Sequence, residues 1–162
     1  MALTIDLFQR GGTPMTHAKL RIATEAMVRA ALGPRVVETI HLRVHLRATK
    51  LAPGTHAEVK ILTNGSRPQR TFNVILQRDF DLQTQIEAMA HEVVHIAQVV
   101  EGRLQYRWWK TDGQMHARWE GQDLGPKRDL PYWTQPWEVE ARAQEGALAQ
   151  VGVAAAVRRK AA

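Results

Sequence analysis

The stretch His91-Glu92-Val93-Val94-His95 lies inside an apolar helical repeat, and this narrows what the chain can build. Residues four apart on a helix sit one turn apart on the same face, so both imidazoles reach a common point. Glu92 is rotated roughly 100° from His91 about the helix axis, which suits it to touch a water on a metal rather than the metal itself. Ile86, Met89, Ala90, Val93, Ala97 and Val100 recur at helical spacing and form an apolar face. Asp79 or Asp81 is a candidate N-cap, and Gly102 falls where the helix should end. The motif therefore belongs in the middle of a buried helix. The bland alternative is a core helix whose histidines only find hydrogen-bond partners. Burying two histidines and a glutamate is costly without a purpose, which favours an ion. The HExxH spacing fits zinc, which lowers the pKa of a bound water to about 7 and so makes hydrolysis accessible at neutral pH.

A catalytic zinc needs a third protein ligand and an open position. The chain has no cysteine, so that ligand is not a thiolate. The candidate region is Pro136-Trp137-Glu138-Val139-Glu140-Ala141-Arg142. Proline at its start, acidic residues in its first turn and the run to Gln150 predict a helix N-terminus. A carboxylate on this helix can face a metal held by the first, and the pattern alone leaves Glu138 and Glu140 both open.

HEVVH followed by a glutamate on a later helix resembles the gluzincin branch of the zincin metallopeptidases. The length is similar to that of the minimal single-domain members called minigluzincins. The stretches His91 to Gln98 and Pro136 to Ala141 also resemble small phage-encoded and bacterial HExxH peptidases. In gluzincins the ligand glutamate is usually followed three residues later by a small residue. Glu138 with Ala141 matches that, and Glu140 with Ala143 is the runner-up. Many members carry Asp or Asn four residues after the ligand, where this chain has Arg142. The resemblance covers roughly residues 70 to 150. It implies a zinc site of His91, His95 and Glu138, with Glu92 as the catalytic base. Sites of this type commonly add a Tyr or His that stabilises the oxyanion. Tyr132 is the first choice for that catalytic role, followed by Tyr106 and His116.

The chain of 162 residues, 44% apolar and 23% charged, suits one soluble domain with one core. It divides into residues 16–102, carrying a sheet and the active-site helix, and 103–162, carrying a hairpin, a loop and the glutamate helix. Residues 16 to 32 predict an amphipathic helix with Leu20, Ala23, Met27, Ala30 and Ala31 inward and Gly33-Pro34 as its stop. Val36 to Arg47 alternates strictly, with Ile40, Leu42, Val44 and Leu46 on one face and His41, Arg43, His45 and Arg47 on the other. The His41/His45 pair, in a strand pattern, belongs to the surface. Ala57, Val59 and Ile61 suggest a second strand ended by an Asn64-Gly65 turn, and Thr71 to Arg78 a third. Leu104 to Lys110 and Met115 to Trp119 predict a β-hairpin turning at Asp112-Gly113. Residues 121 to 136 read as a long loop. The segment Val151 to Val157 reads as a fraying helical end or a tail. All five tryptophans lie between Trp108 and Trp137, either as core over the metal helix or as lining of a substrate groove. The expected fold is α+β and zincin-like. It comprises a small, mostly antiparallel sheet, an N-terminal helix, the HExxH helix, a hairpin and a glutamate helix.

Met1 to Gly12 shows no continuous apolar run of signal-peptide type, and nothing is long enough to span a membrane. A cytoplasmic or virion-associated protein, not secreted by a classical signal, is the simplest expectation. The net charge of +6 admits nucleic acid as a partner. Arg43, Arg47, Lys50 and Lys60 can form a basic face and Arg158-Arg159-Lys160 a basic tail, although a solvated surface explains both. HExxH proteases of the SprT type, which act on DNA-bound proteins, use a third His and often a Cys-rich ribbon, neither of which is evident. The resulting expectation is a zinc-dependent peptidase acting on a protein or peptide laid along a sheet edge. The alternative is a zinc-stabilised binding protein or virion or phage accessory component with little hydrolytic activity.

Overall fold

The computed structural model describes residues 3–8, 14–48, 51, 54–62 and 69–158. Alternating apolar residues build three strands whose inward side chains all become core. These are Leu42, Val44 and Leu46 of β2 (His41–Arg47), Ala57 and Val59 of β3 (Ala57–Lys60), and Phe72, Val74 and Leu76 of β4 (Thr71–Gln77). A further strand, β1 (Thr4–Phe8), joins them in the order β1-β2-β4-β3. β1 and β2 pair in parallel, as do β2 and β4, and only β3 runs antiparallel to β4. The expectation of a mostly antiparallel sheet is thus corrected. Alternation specifies which face of a strand is buried, not the direction of its neighbour. The parallel step from β1 to β2 is made by a helical crossover, the connection such pairs require. The two expected strands β3 and β4 pair antiparallel; the Asn64-Gly65 turn lies outside the described residues, as do Lys50, Arg159 and Lys160.

Helix α1 (Pro14–Ala31) buries Leu20, Ala23 and Met27 as expected, with Thr24 and Val28 beside them, whereas Ala30 is exposed. Pro34 does not lead straight into a strand. It opens a single helical turn, α2 (Pro34–Val37), so that β2 begins only at His41. Helix α3 (Leu82–Val100) carries the HExxH motif. Asp81 is its N-cap, accepting the Thr84 N–H at 2.8 Å, and Gly102 follows its end with φ of +76°, where glycine costs least. All six residues of its expected apolar face are buried.

A second sheet is formed by β5 (Leu104–Trp109), β6 (Gln114–Trp119) and β7 (Gln122–Pro126). The hairpin is as expected. The region read as one long loop instead supplies β7 and two 3-10 turns, Lys127–Asp129 and Tyr132–Thr134. Helix α4 (Pro136–Arg158) packs on both α1 and α3. Val151 to Val157, expected as a fraying end, lies within α4. There Gly152 comes so close that an added Cβ would lie 3.0 Å from the Met27 sulfur and 3.1 Å from Ile86. The fold is α+β, with α3 between the four-stranded sheet and α4, so that one face of the HExxH helix meets an edge strand and another meets the glutamate helix. Among the described residues no helix is long and apolar enough to cross a membrane.

Candidate metal centre

Helical spacing brings the Nε2 atoms of His91 and His95 to 3.1 Å from each other. Glu138 enters from the first turn of α4, with one carboxylate oxygen 3.2 Å from His91 Nε2 and the other 3.3 Å from His95 Nε2. The three side chains offer ligand atoms all within 4.8 Å of one another, a grouping that could hold a metal ion. Glu140 is directed elsewhere. It takes both Arg103 Nη1, at 2.9 and 3.0 Å, and Gln98 Nε2, at 2.7 Å.

The outer nitrogens of the imidazoles are also committed. His91 Nδ1 donates to Glu145 at 2.6 Å, and His95 Nδ1 donates to Gln98 Oε1 at 2.9 Å. Gln98 is fully buried, and its amide also donates to the Trp137 carbonyl at 3.0 Å. Each ring therefore turns Nε2 inward, the orientation that carboxylate or carbonyl partners impose on metal-binding histidines. Sequence reasoning assigned no role to Glu145 or Gln98. The available signal was spacing: Glu145 is seven residues from Glu138 and Gln98 seven from His91, two turns along the same faces. Arg142, where the gluzincin resemblance would place Asp or Asn, makes no hydrogen bond to His91 among the described residues. It donates to the Trp133 carbonyl at 2.8 Å and lies over the Trp133 and Tyr132 rings, tying that turn to α4.

Electrostatics follow from this packing. Burial opposes a charged His91, but hydrogen bonds to Glu138 and Glu145 outweigh it and push its pKa up to about 9. Burial would raise Glu138, yet hydrogen bonds from His91 and His95 hold it far below the ordinary carboxylate range. Glu92 is only 5% exposed, and burial raises its pKa, against the pull of both histidines and the Val59 N–H. That N–H, from β3, donates to Glu92 Oε2 at 2.7 Å.

The cluster opens on a cleft of about 480 Å³ lined by β3, His91, Glu92, His95, Glu138, Tyr106, Lys127 and Tyr132. A second cavity, of about 690 Å³, continues past His91, Glu92 and Tyr132 toward Gly54, His56, Trp133 and Arg142. Tyr132 is half exposed beside Glu138, and burial together with that carboxylate pushes its pKa up to about 12. Tyr106 is buried in the cleft wall, and its pKa is raised by burial and then by Glu138. His116 is not brought to the cleft. It bridges Asp112 and Asp123 at 2.7 and 3.2 Å within the second sheet and stacks on Trp109. The tryptophans divide: Trp137 is core with the partly buried Trp119 packed beside it, Trp133 lines the second cavity, and Trp108 and Trp109 are exposed on the hairpin. No protein-family model matches the chain, and neither a curated protein nor a solved structure does.

Proposed function

We propose that this protein is a zinc-dependent metallopeptidase of zincin type, gluzincin-like, with His91, His95 and Glu138 as the metal ligands. The observation that carries this reading is the convergence of two inward Nε2 atoms and one carboxylate, each imidazole fixed from behind, beside a buried glutamate on an open cleft. The donor set suits zinc: two neutral imidazoles and one carboxylate, with a side open to the cleft. Bound zinc would supply an acidified water and positive charge for the developing oxyanion.

The chain's own residues do the rest. Glu92 takes the proton of the attacking water and delivers it to the leaving amine, and its burial brings its proton affinity nearer to that task. Tyr132, on the cleft rim, donates its hydroxyl to the oxyanion. The substrate binds extended against β3. In β3 the alternation that sends the Val59 N–H away from β4 leaves the Ala57 and Ile61 backbone groups on the same outer edge.

A second reading has one observation in its favour. The Glu92–Val59 hydrogen bond ties α3 to the edge strand, so Glu92 could serve as a strut in a zinc-stabilised binding or virion or phage accessory protein. Glu92→Gln separates the two. Its amide oxygen can still accept from Val59, while proton transfer is lost. Metal analysis should find zinc at one per chain in both forms, and cleavage of a peptide library should fall by roughly 10²-fold or more. Equal cleavage by both forms would remove Glu92 from the chemistry. Absence of cleavage by wild type with zinc in place would favour the accessory reading.

A further inference from the structure

The arm of the cleft beyond the metal cluster, toward the C-terminal end of β3, has a distinct charge chemistry. Lys127 is exposed as a residue, but its ammonium turns inward and lies 4.4 Å from the centroid of the buried Tyr106 ring. No carboxylate lies within ion-pair distance of it among the described residues. Glu58 and Glu138 act on it only at longer range. Lys60, on the edge strand of the same arm, likewise has no ion pair among the described residues. An ammonium drawn against an aromatic face has lost part of its hydration without gaining a full partner. The stronger of these two long-range effects, that of Glu138, would weaken further if that carboxylate held a dication. The arm then holds two lysines against Glu58 alone.

We propose that Lys127 is a specificity determinant that receives an acidic side chain of the bound peptide. This rests on the peptidase reading above. A strand added antiparallel to β3, the slightly more stable pairing, runs from the Lys60 end toward Ala57. The acidic residue therefore lies on the N-terminal side of the scissile bond. A chain's terminal carboxylate would lie at the opposite end, near His56 and Trp133.

The test uses the zinc-loaded protein and N-acetylated, C-amidated pseudo-peptides. A phosphinate replaces the scissile amide and fixes the register on the metal, and dissociation constants are read by calorimetry. Glu in place of Gln at one of the positions N-terminal to the phosphinate should tighten binding by about tenfold, between an exposed ion pair and a well-desolvated one. The same exchange C-terminal to it should change little. Lys127→Met keeps the stem length and should abolish the preference, while Lys127→Arg should retain part of it. Added salt should shrink it, since screening acts over about 8 Å at physiological ionic strength. Equal binding of Glu and Gln peptides, a preference confined to the C-terminal side, or one that persists in Lys127→Met would overturn the assignment alone. Failure of every phosphinate peptide to bind would overturn both it and the peptidase reading.

Discussion

Metal binding at His91, His95 and Glu138 should tighten by about tenfold for each pH unit up to about pH 9, because a proton occupies the position a metal would take. His91, raised from 6.5 to about 9, carries both ring protons at neutral pH in the metal-free protein. One is donated to Glu145 at 2.6 Å and the other, from Nε2, to Glu138 at 3.2 Å. Zinc must expel the Nε2 proton. At pH 7, two units below the folded value, that expulsion costs about 2.7 kcal/mol, roughly 100-fold in apparent affinity. Calorimetric titration in buffers of different ionisation enthalpy should report about one proton released per zinc at neutral pH, falling toward zero above pH 9.

The metal-free fold should respond in the opposite sense. A raised His91 pKa stabilises the folded chain fully below 6.5, and this is lost as pH rises through about 9. The raised Glu92 pKa also costs stability as pH rises above its unfolded value of 4.5, whereas the lowered Glu138 stabilises above 4.5 and loses that contribution in acid. The chelated protein's Tm should therefore fall between pH 6.5 and 9 while the increment from zinc grows. Zinc affinity that is flat from pH 7 to 9, with no proton released, would refute the protonated cluster.

Three further outcomes are expected. Glu138→Ala should abolish stoichiometric zinc, whereas Glu140→Ala should keep it and instead destabilise the fold by about 0.5–1.5 kcal/mol, by removing the acceptor that Gln98 and Arg103 share while Gln98 keeps the Trp137 carbonyl and Arg103 keeps Glu101. The opposite order in metal analysis would move the ligand two residues. Gln98→Leu removes the acceptor for His95 Nδ1 and should weaken zinc by about 10–100-fold with helix content unchanged; an unaltered zinc Kd would leave Gln98 a packing residue only. Gly152→Val drives methyl groups into Met27 and Ile86 and should cost about 1–3 kcal/mol in denaturant unfolding, an effect absent if the end of α4 were frayed.

Helical periodicity between Ile86 and Val100 and the i, i+4 spacing of the histidines follow from covalent geometry, so the sequence by itself determines a buried HExxH helix with both rings on one face. The start of α3 just after Asp79 or Asp81 and the start of α4 at Pro136 are local chemistry of the same kind, as is the inward face of β2, although only the structure selects Asp81 as the cap. What the sequence leaves open depends on approach between distant segments. Glu138 and Glu140 are equivalent by local pattern, and only the docking of α4 on α3 turns Glu138 to the histidines and Glu140 to Gln98 and Arg103. The parallel pairing of β1, β2 and β4, the burial of Gly152 against Met27, and Glu145 rather than residue 142 meeting His91 have the same origin. Periodicity states which face of an element is buried, but not which partner buries it, because the energy that selects the partner is spread over contacts far apart in the chain and is realised only when the whole core closes.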